Sequence, residues 1–437
     1  MEGGDFTYRA SHLVLQLAFI LFVAKVFGEL FQRYLKQPAV LGELTAGMLI
    51  GPYALGQFFK LPGMKEVWFP QSSDLLGIPA NSIIPLPVEL WAFAQLAAVI
   101  LLFLAGLETD LGMFRRFGPR ASLIAAAGVI FPFFFAQWLT VRFVPGVDSL
   151  MAPTALAMGA ISTATSVGIT ARVLEEMNKL DMPESVTIIA AAVMDDVLGI
   201  IVIAVVGSMV AAQVSGTSIS ITNLATLALT SIGFWLLIVA GAILVAPFLA
   251  RWMRRLHAPG AILVLSLACC FLVAGLMEQM HLAMIIGSYS MGLAFSRTEI
   301  ADELHEVLEP VVHFTVPVFF VVMGMLVDFP SMIPILKFGM VMTLFAIIAK
   351  VIGCGVAAFP VGFNKLGASR IGFGMLPRGE VALIVAGIAV SNHWINESLF
   401  GVAIMLTFVT TMIAPIVLVP LFRNPGSGLR ERPMPPT

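Results

Sequence analysis

The stretch Ala192-Val193-Met194-Asp195-Asp196-Val197-Leu198-Gly199 sets two adjacent carboxylates in the middle of an apolar run from about 184 to 211. A helix needs about 20 mostly apolar residues to cross a bilayer, and this run is long enough. Charge at the centre of such a span is costly, so it implies function by default. On both sides of it the pattern recurs. Apolar runs lie near 13–31, 39–57, 88–108, 119–142, 150–173, 220–249, 259–276, 279–296, 310–327, 333–358, 368–391 and 397–422. Together they make an all-α polytopic membrane protein of about thirteen expected spans, the second of them short and glycine-rich. The composition agrees. Of 437 residues, 59% are hydrophobic and 11% charged, where a soluble domain carries roughly 25% charged residues.

Composition also excludes several classes. The net charge of −2 comes without a basic patch, which speaks against nucleic acid. No Ser-His-Asp order, phosphate loop or metal-ligand cluster stands out, so no enzyme and no cofactor is expected. Cys269, Cys270 and Cys354 fall inside apolar runs and read as small core residues. The histidines are scattered and read as ordinary interfacial groups. Residues Met1 to Ser11 lack the basic start and small-residue cleavage site of a secretory signal, so the first run reads as a retained helix. Residues 58–87 read as a long loop holding Trp68 and Phe69. Arg297 to Glu309 reads as a charged connector that forms an amphipathic helix at the interface. The tail after Phe422 reads as short and too small for a soluble regulatory domain. Lys and Arg mark the cytoplasmic side. Sixteen fall on one set of connections and five on the other. This gives an outside N-terminus, a cytoplasmic C-terminus and an odd number of spans.

The topology carries an internal symmetry. Spans four to six begin inside and spans eleven to thirteen begin outside, the arrangement of an inverted-repeat transporter. The middle member of each triplet has helix-weakening chemistry. One holds Ser162-Thr163-Ala164-Thr165-Ser166-Val167-Gly168-Ile169-Thr170; the other holds Pro377-Arg378-Gly379-Glu380. Hydroxyls compete for backbone groups and proline removes a donor. Interrupted helices in matching positions point to a midplane binding site.

Five charges lie within these spans: Asp195, Asp196, Lys350, Arg378 and Glu380. They sum to one positive charge short of neutrality, which one monovalent cation or one proton would supply. Adjacent helical residues point about 100° apart, so one aspartate can face Lys350 while the other faces the cavity by the breaks. Two nearby carboxylates titrate as a coupled unit. A carboxylate that holds either H⁺ or Na⁺, but not both, is sufficient for antiport. Thr165 and Ser166 add hydroxyl oxygens suited to a small hard cation. Arg378 and Glu380, at i and i+2, do not face each other, so each is expected to bridge to another helix. Lys25 and Glu29 are spaced to pair locally, and Glu43 to pair with a neighbouring helix.

These residues resemble the cation:proton antiporter-2 family, and within it the NapA-like Na⁺/H⁺ antiporters. The resemblance rests on Gln37-Pro38, Gly42-Glu43 and Gly51-Pro52; Gly106-Leu107-Glu108; Ala164 through Thr170; Asp195-Asp196; Phe319-Phe320 with Gly324; Lys350; and Pro377 through Glu380, in this order. It implies inverted repeats with two crossing broken helices, and elevator-type alternating access. It assigns 119–211 and 333–422 to an ion-translocating core, 1–110 and 259–328 to a dimerisation side, 220–249 to a linker helix and 423–437 to a short cytoplasmic tail. It implies that Asp196 carries the ion, that Asp195 pairs with Lys350, and that Thr165 and Ser166 lie near the ion. Na⁺, with Asp196 and Asp195 as its ligands, would be exchanged electrogenically for H⁺ by a homodimer in membrane lipid, in a bacterial inner membrane. Kef-type potassium efflux systems show a glutamine before a single aspartate and append a nucleotide-binding domain; this chain has Asp195. K⁺/H⁺ exchange, a gated cation channel and a Na⁺-coupled symporter are the competing expectations.

Overall fold

The computed structural model describes residues 3–58, 60, 69, 86–108, 111–215, 221–279, 284–328 and 335–430. Bilayer interiors leave backbone polar groups no water to bond, so a spanning chain must satisfy them internally. The apolar runs do this as helices. Among the described residues there is no strand, and the single antiparallel bridge, Phe363 to Leu429, stands alone. In chain order the helices are α1 (Gly3–Leu30), α2 (Ala39–Ile50), α3 (Val88–Leu107), α4 (Leu111–Phe143), α5 (Pro153–Ile161), α6 (Val167–Glu176), α7 (Pro183–Ser215) and α8 (Ile221–Met253). They continue with α9 (Ala261–Gln279), α10 (Met284–Phe295), α11 (Ala301–Met325), α12 (Leu336–Ala358), α13 (Lys365–Gly374), α14 (Glu380–Ser391) and α15 (Glu397–Arg423).

Ten helices among the described residues are long and apolar enough to cross a membrane. The three other expected segments are the short α10 and the two interrupted pairs, α5 with α6 and α13 with α14. Polar punctuation sets several starts. Asn364 caps α13 by accepting from the Leu366 and Gly367 amides, and Asn396 caps α15 by accepting from Leu399.

The helix expected at Arg297–Glu309 is present from Ala301, but it is not separate from the span that follows. From Ala301 onward it is the first part of α11, continuous through Pro310 and Pro317. Proline within a membrane helix is tolerated where neighbours satisfy the freed carbonyls, so Pro310 marks no boundary. Most of the 58–87 loop, Trp68 included, lies outside the described residues. So does the tail from 431, but its earlier part is docked. Asn364 donates from its amide to the Gly428 carbonyl at 2.9 Å, and the Arg430 amide donates to the Gly362 carbonyl at 2.9 Å.

The helices fall into two groups by contact. In one, α1, α2, α3, α9, α10 and α11 pack together; in the other, α4, α5, α6, α7, α12, α13, α14 and α15. Helix α8 touches α7 on one side and α9 and α10 on the other. The groups meet where α6 approaches α2 and α3. In the first group backbones touch. A Cβ on Gly47 of α2 would overlap the Val321 carbonyl oxygen of α11, and one on Gly324 would overlap the Leu44 carbonyl oxygen. Small residues permit this approach, which is how helices gain contact in lipid without a hydrophobic drive.

Candidate functional site

The two helix interruptions lie against each other. Helix α5 ends at Ile161 and α6 begins at Val167; α13 ends at Gly374 and α14 begins at Glu380. Each break frees backbone groups that the other takes up. The Ser166 amide donates to the Pro377 carbonyl at 2.7 Å. Thr165 Oγ1 donates to the Met375 carbonyl at 3.3 Å, and Thr170 Oγ1 to that of Gly374 at 2.7 Å. Gly379 has no room for a side chain, because a Cβ there would stand 2.7 Å from Ser166 Oγ.

Two fully buried cations serve the C-terminal end of α5, where helix carbonyls lack intrahelical donors. Arg378 Nη2 donates to the Ser162 carbonyl at 2.5 Å and Nη1 to that of Leu376 at 3.4 Å. Lys350 Nζ donates to the Thr163 carbonyl at 2.7 Å, to that of Gly128 at 2.9 Å and to Asp195 Oδ1 at 3.1 Å. Lys350 is 0% exposed and Asp195 1%. Three donors on Nζ and three acceptors around it leave the ammonium fully committed. In turn Thr411 Oγ1 donates to the Arg378 carbonyl at 2.5 Å, tying α15 to the second break.

Asp196 is buried at 5% exposure, one residue along α7 from the ion pair. Asp195, Asp196, Thr165, Ser166, Lys350 and Arg378 are all buried in the same helix group. The structure brings Asp195 to Lys350 and brings Arg378 to the opposite break. The Glu380 side chain lies outside the described residues. Among the described residues no three His, Cys, Asp or Glu side chains gather to hold a resident metal ion.

A wide cavity of about 990 Å³ opens between the groups. It is lined by Lys25, Glu29, Glu43, Glu108, Arg172, Glu175, Glu176, Asp181, His305, Glu309 and His313, among others. Seven carboxylates thus face two fixed cations. Asp195 and Asp196 are not among its lining residues; the lining on the side of the breaks reaches Arg172 of α6. Arg172 is 4% exposed and pairs with Glu175 at 3.2 Å and Glu176 at 3.1 Å. Glu176 Oε2 also accepts the Ala39 amide of α2 at 2.8 Å, a bond from one helix group to the other. Where α3 ends, Glu108 meets His305 Nε2 at 2.7 Å. Burial pushes the Glu108 carboxyl above its ordinary 4.5, against the opposing pull of the His305 ring.

Some local pairings differ from expectation. Glu29 stands 4.0 Å from Arg33 rather than beside Lys25, because α1 runs on through a π turn (Phe31–Leu35) that carries Arg33 to it. Glu43 makes no hydrogen bond to a neighbouring helix among the described residues. Sequence reasoning also missed the buried Arg370–Glu184 pair at 2.5 Å and the Arg172 cluster. For the latter the signal was present in the i, i+3 and i+4 spacing of Arg172, Glu175 and Glu176.

Comparison with known proteins supplies the setting. A family model described as "Sodium/hydrogen exchanger, transmembrane" matches residues 18–424. The chain is 34% identical to a high-affinity Na⁺/H⁺ antiporter of Synechocystis sp., over 97% of this chain and 92% of that protein. It is 33% identical to a Na⁺/H⁺-K⁺ antiporter of Bacillus cereus, over 92% of this chain and 94% of that one. Among solved structures, a sodium proton antiporter of Methanocaldococcus jannaschii aligns over 99% of this chain and 100% of its own, with a TM-score of 0.69 at 16% identity. At that identity the likeness is one of fold.

Proposed function

The chain belongs to the sodium/hydrogen exchanger family, and from that premise we propose that it exchanges Na⁺ for H⁺ at the aspartate pair beside the two helix breaks. It is an integral, multi-pass membrane protein and a transporter rather than an enzyme. The observation that carries the proposal is the asymmetry of the pair. Lys350 is fully committed to Asp195 and two carbonyls. It therefore fixes Asp195 as a structural anion and distinguishes it from Asp196, one step round the same helix. In this reading Asp196 is the carrier, and H⁺ and Na⁺ compete for its carboxylate. Thr165 and Ser166, on the adjoining break, supply oxygen ligands of the kind a small hard cation takes. Arg378 holds the second break against the first.

The helix grouping supports an elevator-type cycle. The group with the breaks would move against the glycine-packed group, and the acidic cavity between them is the inward-facing path. The count of Lys and Arg supports a cytoplasmic C-terminus, and with it a path that opens to the cytoplasmic side. The packed α1–α3 and α9–α11 side would form a homodimer, with α8 as the linker, in the lipid of a bacterial inner membrane. Adjacent carboxylates support electrogenic exchange, in which each net charge moved is driven by about 2.3 kcal/mol per 100 mV. K⁺/H⁺ exchange is the less favoured alternative: both relatives carry Na⁺ in their names, and K⁺ appears only beside it.

The test is a ΔpH assay in proteoliposomes comparing Na⁺, Li⁺ and K⁺, with and without a clamped potential. Na⁺ should dissipate an imposed ΔpH, with a rate that depends on the potential. Asp196→Asn should abolish the response, and retained exchange in that variant sinks the site assignment. Steady conductance without a proton gradient would instead favour a channel. Na⁺ flux that needs an organic solute would favour a symporter.

A further inference from the structure

Glu43 is a buried carboxylate outside the aspartate site, and nothing in the exchange reaction described above uses it. It sits on the second turn of α2, is 1% exposed, and has no hydrogen-bond partner for either carboxylate oxygen among the described residues. It nonetheless lines the acidic cavity. An ionised carboxylate enclosed in this way is costly unless a counter-charge or proton joins it.

The nearby charges do not supply that partner. Arg172, Glu176, Lys25 and Glu175 all act electrostatically on Glu43. Arg172, however, is spent on Glu175 and Glu176, and Glu176 also holds the Ala39 amide at the start of the same helix. Lys25 is an exposed residue of α1. From α11, Glu309 and His313 face the cavity, and from α1 so does Glu29. The local balance around Glu43 is therefore negative, in a cavity large enough to hold hydrated ions.

We propose that Glu43 is a second cation-exchanging carboxylate, a staging site that takes a monovalent cation from the funnel before it reaches Asp196. It rests on the exchange reading for its role in transport, but not for its ability to bind. The cation would neutralise Glu43 at the seam of the two helix groups, within reach of the Glu176 carboxylate that bridges them. A proton would relieve the same cost, so the staging site exchanges one for the other as the reaction site does. Its contribution is to capture: a focused negative cleft raises local cation concentration and on-rate.

Na⁺ titration of ΔpH dissipation in proteoliposomes tests it. Glu43→Gln keeps the shape and removes the charge. It should raise KM for Na⁺ by roughly tenfold, the lower end of what a charged cleft contributes, and far more than it lowers the maximal rate. Glu43→Asp should bring KM back toward the parent. Should the Gln variant fail to assemble, Glu43→Ala, which leaves room for water, is the second neutral variant. An unchanged KM in a folded neutral variant overturns the proposal and leaves Glu43 as a protonated packing group. Binding is read separately in the Asp196→Asn background, where turnover is absent. There Na⁺, against choline at equal ionic strength, should still raise Tm, and adding Glu43→Gln should remove that rise. Equal Na⁺ responses with and without Glu43 overturn the site. If the parent protein shows no exchange at all, this second arm still decides Glu43, and only the antiport reading fails.

Discussion

The two helix groups differ in their central contacts, although both carry glycine seams: in the second, a Cβ on Gly372 of α13 would stand 2.7 Å from the Val351 carbonyl oxygen of α12. Across α2 and α11, and across α3 and α10, there is almost nothing between the backbones. Gly47 faces Val321 and Gly324 faces Leu44, while a Cβ on Gly106 or Gly292 would overlap the carbonyl of Tyr289 or Phe103. The other group is also held by long, buried polar side chains that reach to backbone carbonyls. Lys350, Arg370 and Arg378 are all 0% exposed, and each ends on backbone oxygens. Backbone contact leaves nothing to rearrange, so it suits a scaffold. A charged side chain on a carbonyl can trade partners, so it suits a part that rearranges, the role given to this group in the proposed elevator cycle. The difference follows from sequence: small residues at the seams of one group, and hydroxyls, proline and charge at the breaks of the other.

The largest expected effect breaks the polar side of the comparison. Lys350→Ala strands the Asp195 charge and two carbonyls, and should cost about 3–5 kcal/mol, the range for removing one partner of a buried pair. A thermal melt in detergent measures it, and Asp195→Asn added to Lys350→Ala should recover much of the loss. Next comes the scaffold. Gly324→Val forces α2 and α11 apart and should cost about 2 kcal/mol by overpacking. Gly324 and the Leu44 carbonyl it meets carry no ion group, so the pH midpoint of the maximal rate should stay within error, and a shifted midpoint would erase the distinction between the two groups. A smaller effect returns to the break. Thr411→Val removes the hydroxyl from the Arg378 carbonyl and should lower stability by about 1 kcal/mol. Here, unlike in Gly324→Val, the pH profile of exchange should move. The smallest lies at the cavity rim. Glu108 holds its proton to higher pH in the fold than in the unfolded chain, so folded stability falls as pH rises from 4.5 through the raised value. Below that window the folded and unfolded chains are both protonated and the term vanishes. Glu108→Gln should flatten that part of the Tm–pH curve, by under about 1 kcal/mol.

Much of this was legible because buried charge is expensive. Asp195, Asp196, Lys350 and Arg378 stand out in apolar runs, and hydroxyls and proline marked the breaks to within a few residues. The two triplets were legible because interruptions recur in matching positions. What stayed hidden has two causes. One is that backbone atoms leave no sequence mark: nothing in the chain announces that Arg378 ends on the Ser162 carbonyl or Lys350 on that of Thr163. The other is separation. Glu184 and Arg370 pair across 186 residues, and each alone reads as an interfacial charge. The Arg172 cluster was legible in its spacing, but those charges were counted only for orientation. The expected run at 310–327 begins late, since the charged first turns of α11 lie before its apolar stretch.

The Arg370–Glu184 pair also sets an order of events during synthesis. Glu184 opens α7 and leaves the ribosome well before Arg370, which arrives on α13. Arg370 is in turn completed only by the Leu421 carbonyl at 3.1 Å and the Asn424 carbonyl at 2.6 Å, with its guanidinium over the Phe422 ring. The first repeat therefore enters the bilayer with an anion waiting at one end, and the second supplies its partner. The pair is sealed only when the final turns of α15 have been translated. A chain halted before Leu421 leaves Arg370 with its Glu184 partner but without the two carbonyls that complete its guanidinium.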